Sequence, residues 1–272
     1  MIGLLLDIVA WLAEGFGLAQ TLLNDNHVPT RRSLLVEDAP KTVMAIWAHP
    51  DDEITSAGTL ANLAREGATV VLIYLTRGEA ARDTGYSREE LAEVRRLEAT
   101  AAGDALGGHA VEVLEWPDGG LSRSDADAIK QVLRKRIDHW KPSVLISFDE
   151  KVGYYGHPDH IAVGRWAREL AQEDNSVRRL YQATLPQALI KIALKRVAAF
   201  RNNYPTEAGA GLPAPTVAVP IRKMAAVKRR LLDVHLSQAK VIADVQPAYD
   251  RVPAWLYYRL FDREYFALAM SR

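Results

Sequence analysis

The sequence predicts an α/β protein of Rossmann-like architecture, a mostly parallel sheet with helices on both faces, and three observations carry that expectation. From residue 42 onward, short β-branched runs alternate with longer amphipathic stretches, the pattern of parallel strands joined by helical crossovers. Glycine and proline punctuate the joins as helix ends and turns, at Gly67, Gly107, Gly108, Pro117 to Gly120 and Pro142. With 272 residues, of which 49% are apolar, the chain is long enough to bury a sizeable core in one domain. The expected division is an apolar N-terminal helix over 1–30 and a single domain over 42–272. In that domain the chemical motifs fall within 48–160, and a substrate or assembly region covers about 175–272.

Taken in order, the first segment is MIGLLLDIVAWLAEGFGLAQTLL, whose carboxylates Asp7 and Glu14 fall on the same side of a helix. It lacks the basic start and small-residue cleavage site of a secretory signal. A membrane span is disfavoured, because each carboxylate costs roughly 2.5–3.5 kcal/mol at mid-bilayer. The expectation is a helix packed on the body of the protein or on a second copy in a homo-oligomer. Lying in a membrane interface is less favoured, since an acidic face suits anionic lipid poorly. A cytoplasmic location follows.

Strands are predicted at TVMAIWA from 42, TVVLIYLT from 69, VEVLEW from 111 and SVLISF from 143, with helices over 53–66, 87–106, 124–139 and 158–173. Beyond 175 the alternation weakens. The proline- and glycine-containing stretch 202–220 reads as an extended loop, and IRKMAAVKRRLLDVHLSQAKV, 221–241, as a helix.

Composition removes several chemistries. The 34 basic and 34 acidic residues cancel, so no overall field gathers nucleic acid. The absence of cysteine excludes disulfides, thiolate metal sites and a cysteine nucleophile, leaving His, Asp and Glu as metal donors. No loop carries G-x-G-x-x-G, so the sheet pattern does not imply a dinucleotide site.

In open α/β sheets ligands bind beyond the carboxyl ends of the strands. Those exits read AHPDDE (48–53), TRGEAARD (76–83), PDGGL (117–121) and DEKVGYYGHPDH (149–160). His49 and Asp52, three residues apart where a strand turns into a helix, can point at one spot and are candidate co-ligands. His157 and His160 repeat the spacing at a helix start marked by Pro158, and either histidine can complete the set. A catalytic zinc takes three protein ligands and keeps one position for water, and imidazole with carboxylate suits it. With one aspartate ligand such a site stays near +1, enough to acidify water and polarise a carbonyl. Either motif alone is explained as well by helix capping, whereas both together on matching strand ends are not.

HPDDE at 49–53, TRGE at 76–79 and GYYGHPDH at 153–160 resemble the LmbE or PIG-L family of N-acetylglucosaminyl deacetylases, over roughly 42–170, with a weaker echo in VHLSQ at 234–238. The resemblance implies a zinc enzyme, with Fe2+ as the alternative metal, acting on a small N-acetylated sugar. It assigns His49, Asp52 and His160 to the metal and Asp51 to the general base. It makes His157 the oxyanion or proton donor, Asp159 its orienting partner and Tyr155 a mobile hydroxyl near the same oxygen.

The chain departs from the family after TRGE, where it reads AARDTG in place of a glycine-rich loop bearing an arginine. Arg82 is the candidate for that substrate-holding role. Glu53 and Asp118 are candidates for sugar hydroxyls, and Trp116 for stacking. Arg222, Lys223, Lys228, Arg229 and Arg230 are read either as a solvated helix face or as a phosphate contact. The competing readings are an amidase of the same fold cleaving a larger sugar-thiol conjugate, a non-catalytic metal- or carbohydrate-binding module, and a two-metal phosphoesterase.

Overall fold

The computed structural model describes residues 15, 17–207 and 209–272. The β-branched runs become β1 (Thr42–Trp47), β2 (Thr69–Thr76), β3 (Ala110–Trp116) and β4 (Val144–Ser147). β1, β2 and β4 are buried on both faces, which is why they read as continuous apolar runs, while β3 at the sheet edge is only half-buried. β5 (Arg179–Thr184) adds in parallel beside β4, whereas β7 (Arg263–Ser271) pairs antiparallel with both β5 and the edge strand β6 (Val217–Pro220), giving the order β3-β2-β1-β4-β5-β7-β6. The chain builds outward from β1 in one direction and returns to its other side with β4. The exits of β1 and β4 therefore flank the switch point where such sheets open a crevice.

Helices α1 (Ala57–Arg65) and α2 (Arg88–Leu106) cover one face, and α3 (Ala126–Trp140) and α4 (Pro158–Glu173) the other. Alternate residues of β1 feed the two layers: Val43, Ala45 and Trp47 pack toward α1 and α2, while Met44 and Ile46 pack toward α3 and α4. A Ser87–Glu90 capping box starts α2, Asp125 caps α3, and Pro158 occupies the first turn of α4. Trp116 packs against the second layer.

Three expectations are corrected. The helix after β1 begins at Ala57 rather than at 53, because Asp51 takes a positive φ and residues Asp52–Thr55 form a 3-10 turn. After α5 (Gln187–Arg196), the stretch 202–220 is not all loop, since it holds the end of α6 (Ala198–Asn203) and the strand β6. The helix predicted over 221–241 is broken at His235, between α7 (Ala225–Val234) and a 3-10 turn Leu236–Gln238 that leads into α8 (Ala239–Val245).

Residues 1–14 and 16 of the apolar helix expected over 1–30 lie outside the described residues. Within them, 17–23 is helical, and Gln20 and Asn24 donate to the carbonyls of Arg259 and Leu260, at the end of α9 (Ala254–Leu260). Among the described residues no helix is long and apolar enough to cross a membrane.

The basic run on α7 is neither a solvated face throughout nor a free cationic patch. Lys228 is buried and paired with Glu264, whose oxygens also accept the Gly58 and Thr59 N–H groups at 2.9 and 2.7 Å. Arg229 donates to the Val252 carbonyl, and its guanidinium lies 5.3 Å from the Tyr249 ring centre. Arg222 pairs with Asp262, while Lys223 and Arg230 are exposed. Lys228→Ala is expected to lower stability by about 3–5 kcal/mol, because it strands a buried carboxylate. Denaturant unfolding checks this, and a loss under 1 kcal/mol would deny the pair its structural role.

Candidate active site

The exits of β1 and β4 bring His49 and Asp52 together with His157 and His160. His160 Nε2 lies 3.1 Å from Asp52 Oδ1 and 3.2 Å from His49 Nδ1, and His49 Nδ1 lies 3.6 Å from Asp52 Oδ2. A tetrahedral ion with ligand bonds of about 2.0–2.2 Å sets its donors roughly 3.3–3.6 Å apart. The set therefore fits one small borderline-soft cation in both spacing and chemistry.

Each donor is held from behind. His160 stacks on Phe148 at 4.1 Å between ring centres and 5° between planes, and its Nδ1–H donates to the Gly153 carbonyl at 3.0 Å, leaving Nε2 with its lone pair toward the cluster. Asp52 Oδ2 accepts the backbone N–H groups of Ala48 and His49 at 3.1 and 2.8 Å. Burial opposes ionising Asp52, but His160 and His49 outweigh it and hold the carboxyl well below its ordinary range. A second group, His49 with His157 and His160, also lies within metal-binding reach, so His157 is near the same spot.

Asp51 stands at the rim with φ 109° and ψ −19°, a conformation costly for any residue with a side chain. Arg95 Nη2 meets Asp51 Oδ1 at 3.0 Å and donates to the Pro50 carbonyl, while its Nη1 donates to the Gly78 carbonyl at 2.9 Å. Gly78 is required there, since a Cβ would stand 2.5 Å from the Arg95 guanidinium carbon. Burial raises the Asp51 carboxyl to about 6 despite Arg95, which suits a group that takes and returns a proton near neutral pH.

His157 accepts the Asp159 backbone N–H at its Nδ1, 3.2 Å away, which assigns its proton to Nε2. The carboxylate of Asp159 points elsewhere, accepting Gly119 and Leu121 N–H at 2.8 and 3.0 Å. This corrects the expectation that it orients His157: the backbone amide of Asp159 does so. Burial and the neighbouring His160 and His49 push the His157 pKa down to about 4, so its imidazole is neutral. The Tyr155 ring lies 5.0 Å from that of His160 and 6.0 Å from that of His157, beside Phe200 of α6. The preceding residue Tyr154 also has a positive φ of 74°.

The expected substrate contacts fare unevenly. Asp118 Oδ1 is 2.9 Å from His49 Nε2 and its Oδ2 accepts the Ala80 N–H; although burial opposes it, His49 draws its carboxyl down to about 2. Burial resists charging His49, yet Asp118, Asp159 and Asp52 together raise its pKa well above the ordinary value. Glu53 is fully buried and bonded to Asp51, Tyr74 and His235, which corrects its assignment to a sugar hydroxyl. Arg82 is exposed and makes no ion pair or hydrogen bond among the described residues; the arginine that reaches the site is Arg95. The motifs do not flag Arg95, and they touch His235 only through the weaker echo VHLSQ at 234–238.

A three-donor cation cluster with a proton-accepting carboxylate and a neutral histidine at its edge, on an α/β switch point, defines a metal-dependent hydrolase. Comparison with known proteins agrees. The family model for GlcNAc-PI de-N-acetylase, PIG-L, matches residues 44–171. A 1D-myo-inositol 2-acetamido-2-deoxy-alpha-D-glucopyranoside deacetylase of Nakamurella multipartita is 30% identical, covering 84% of this chain and 91% of its own. A probable N-acetyl-alpha-D-glucosaminyl L-malate deacetylase of Bacillus anthracis is 28% identical over 79% and 94% of the two chains. Among solved structures, the N,N'-diacetylchitobiose deacetylase of Pyrococcus horikoshii is similar with a TM-score of 0.59 and 25% identity, covering 85% of this chain and 84% of that one. The chain belongs to the PIG-L, or LmbE-like, family of deacetylases. A 4-carboxy-2-hydroxymuconate hydratase of Pseudomonas putida KT2440 has the same fold, with a TM-score of 0.59, 19% identity, and coverage of 85% of this chain and 97% of its own. The fold alone therefore does not fix the reaction.

Proposed function

We propose that the protein removes the acetyl group from an N-acetylglucosamine-type glycoside, with Zn2+ held by His49, Asp52 and His160. The observation that carries this reading is the meeting of those three donors within 3.1–3.6 Å, with Asp51 next to Asp52 in the chain and its carboxylate held by Arg95. A zinc ion bound there supplies Lewis acidity and a water that ionises near neutral pH. Asp51 takes a proton from the attacking water as its oxygen bonds to the acetyl carbonyl carbon. His157 turns its Nε2–H, and Tyr155 its hydroxyl, toward the carbonyl oxygen as negative charge grows there. Asp51, protonated by that step, returns the proton to the departing nitrogen. The C–N bond then breaks to give acetate and a free amine. Asp118 and Asp159 act through His49 and the exit loop of β3.

Arg95→Lys is expected to lower turnover about 10–100-fold while the metal is retained, because a lysine cannot reproduce the fork joining Asp51, Pro50 and Gly78. Steady-state kinetics beside metal analysis checks it, and wild-type turnover would show that Arg95 only fills space. The reading also keeps the enzyme in the cytoplasm as a homo-oligomer, with exposed Leu18, Leu22 and Trp255 as apolar surface for a second copy. Light scattering tests the oligomeric state.

The deciding experiment is free-amine release from N-acetylglucosamine glycosides of inositol, malate and a second sugar, with metal-stripped and zinc-restored protein side by side. Amine that appears only with metal supports deacetylation. Bound metal without amine would transfer the reading to the amidase of larger sugar conjugates.

A further inference from the structure

Behind Asp51 the chain buries a second histidine that takes no part in the hydrolytic steps above. His235 is fully buried, and its Nε2–H donates to Glu53 Oε1 at 2.5 Å. The other oxygen of Glu53 accepts the backbone N–H of Asp51 at 3.0 Å and the Tyr74 hydroxyl at 2.9 Å. Two residues on, Ser237 donates through its N–H and its hydroxyl to Glu98 of α2, both at 2.7 Å. One short C-terminal segment is thus anchored to α2 and inserts an imidazole behind the HPDDE loop.

We propose that His235 is a positioning residue for Asp51, acting through Glu53 on the Asp51 backbone. The inference rests on Asp51 being the base in the reading above. A residue at φ 109° tends to relax unless its surroundings fix it. Arg95 fixes the Asp51 carboxylate and Glu53 fixes the Asp51 amide. Glu53 can do so only if its own carboxylate is held in place by a partner on its other oxygen. His235 supplies the partner. Two features argue against mere core filling. The backbone leaves helical geometry at His235, φ −85° and ψ 58°, as its ring reaches Glu53. Its Nδ1 is buried without a hydrogen bond, 4.0 Å from Glu98 Oε2, a cost that an apolar side chain would avoid.

The test compares His235→Asn, whose amide stops short of Glu53, with His235→Gln, whose amide reaches the position of Nε2. Kinetics, zinc content and thermal stability are measured together, with wild-type protein in the same assay. The expected result for His235→Asn is a fall in kcat of about 10–100-fold with KM and zinc content unchanged, and His235→Gln recovers most of it. Hydrogen exchange at the Asp51 amide of metal-free protein should be faster in His235→Asn than in His235→Gln. Wild-type kcat in His235→Asn, or a loss confined to zinc content, overturns the proposal. If His235→Asn does not fold, Tyr74→Phe decides: it removes one hydroxyl from Glu53, a several-fold fall in kcat supports the proposal, and no change overturns it. Wild-type protein without amine release would strike the deacetylase reading itself, which separates that failure from failure of the variants.

Discussion

Asp51→Asn is expected to cut turnover by about 10²–10⁴-fold while the metal stays bound. The substitution is chosen because asparagine, like aspartate, tolerates a positive φ, so the backbone at 109° survives and only the proton-accepting oxygen is lost. Alanine there would confound lost chemistry with relaxation of the loop. Arg95 would keep its bonds to Pro50 and Gly78 and would still donate to the amide oxygen. Single-turnover amine release measured beside metal content is the check. Turnover within a few-fold of wild type would remove Asp51 from the mechanism and, with it, the reason for clamping its backbone.

His160→Ala is expected to abolish metal binding, and with it amine release. The ring offers the donor that faces both Asp52 and His49, and it is preset by Gly153 and Phe148, so no neighbouring side chain can replace it without repacking. A ligand that binds only the native state adds RT ln(1 + [L]/Kd), about 4 kcal/mol when zinc is present at a thousand times its Kd. At roughly 2–4 °C per kcal/mol for a chain of this size, wild-type protein should melt several degrees higher with zinc than after chelation. In His160→Ala that zinc-dependent shift should vanish. A variant that still shows it would move the third ligand elsewhere, and His157, which lies within reach of His49, would be the first candidate.

The half of the molecule that the sequence makes legible is the half built from parallel strands. β2 falls on the apolar run from 69 to 76 because both its faces are covered, so no polar residue interrupts it. The antiparallel β6 and β7 at the other edge lack that uniformity. β7 loses burial toward its end, and β6 is four residues long, too short to assert a period. The site divides in the same way. His49, Asp52, His157 and His160 announce themselves because chemistry-bearing residues repeat at one spacing on two strand exits. Arg95 hides among the charges of SREELAEVRRLE, yet its position was readable: it lies in phase with Leu91, Ala99 and Ala102, the buried stripe of α2. Lys228 gives the same signal on α7, in phase with Ala225, Leu231 and Leu232. A charge on the apolar stripe of a helix marks a buried partner better than its local composition does. His235 could not be found this way, because its role depends on a helix break that tertiary contact imposes.

Glu264 reaches back across 206 residues to the Gly58 N–H at the start of α1, and His235 across 182 residues to Glu53. The loop that carries Asp51 and Asp52 is therefore synthesised well before the segments that complete it. A nascent chain that has already released both histidine motifs still lacks the carboxylate that meets the α1 amides and the imidazole that meets Glu53. Contacts so far apart in sequence form slowly, since long loops must close before any of them yields stabilisation. Hydrolytic competence should therefore arrive as a late, all-at-once event when β7 docks beside β5, and a ribosome-bound chain stalled before β7 should bind little metal and release no amine.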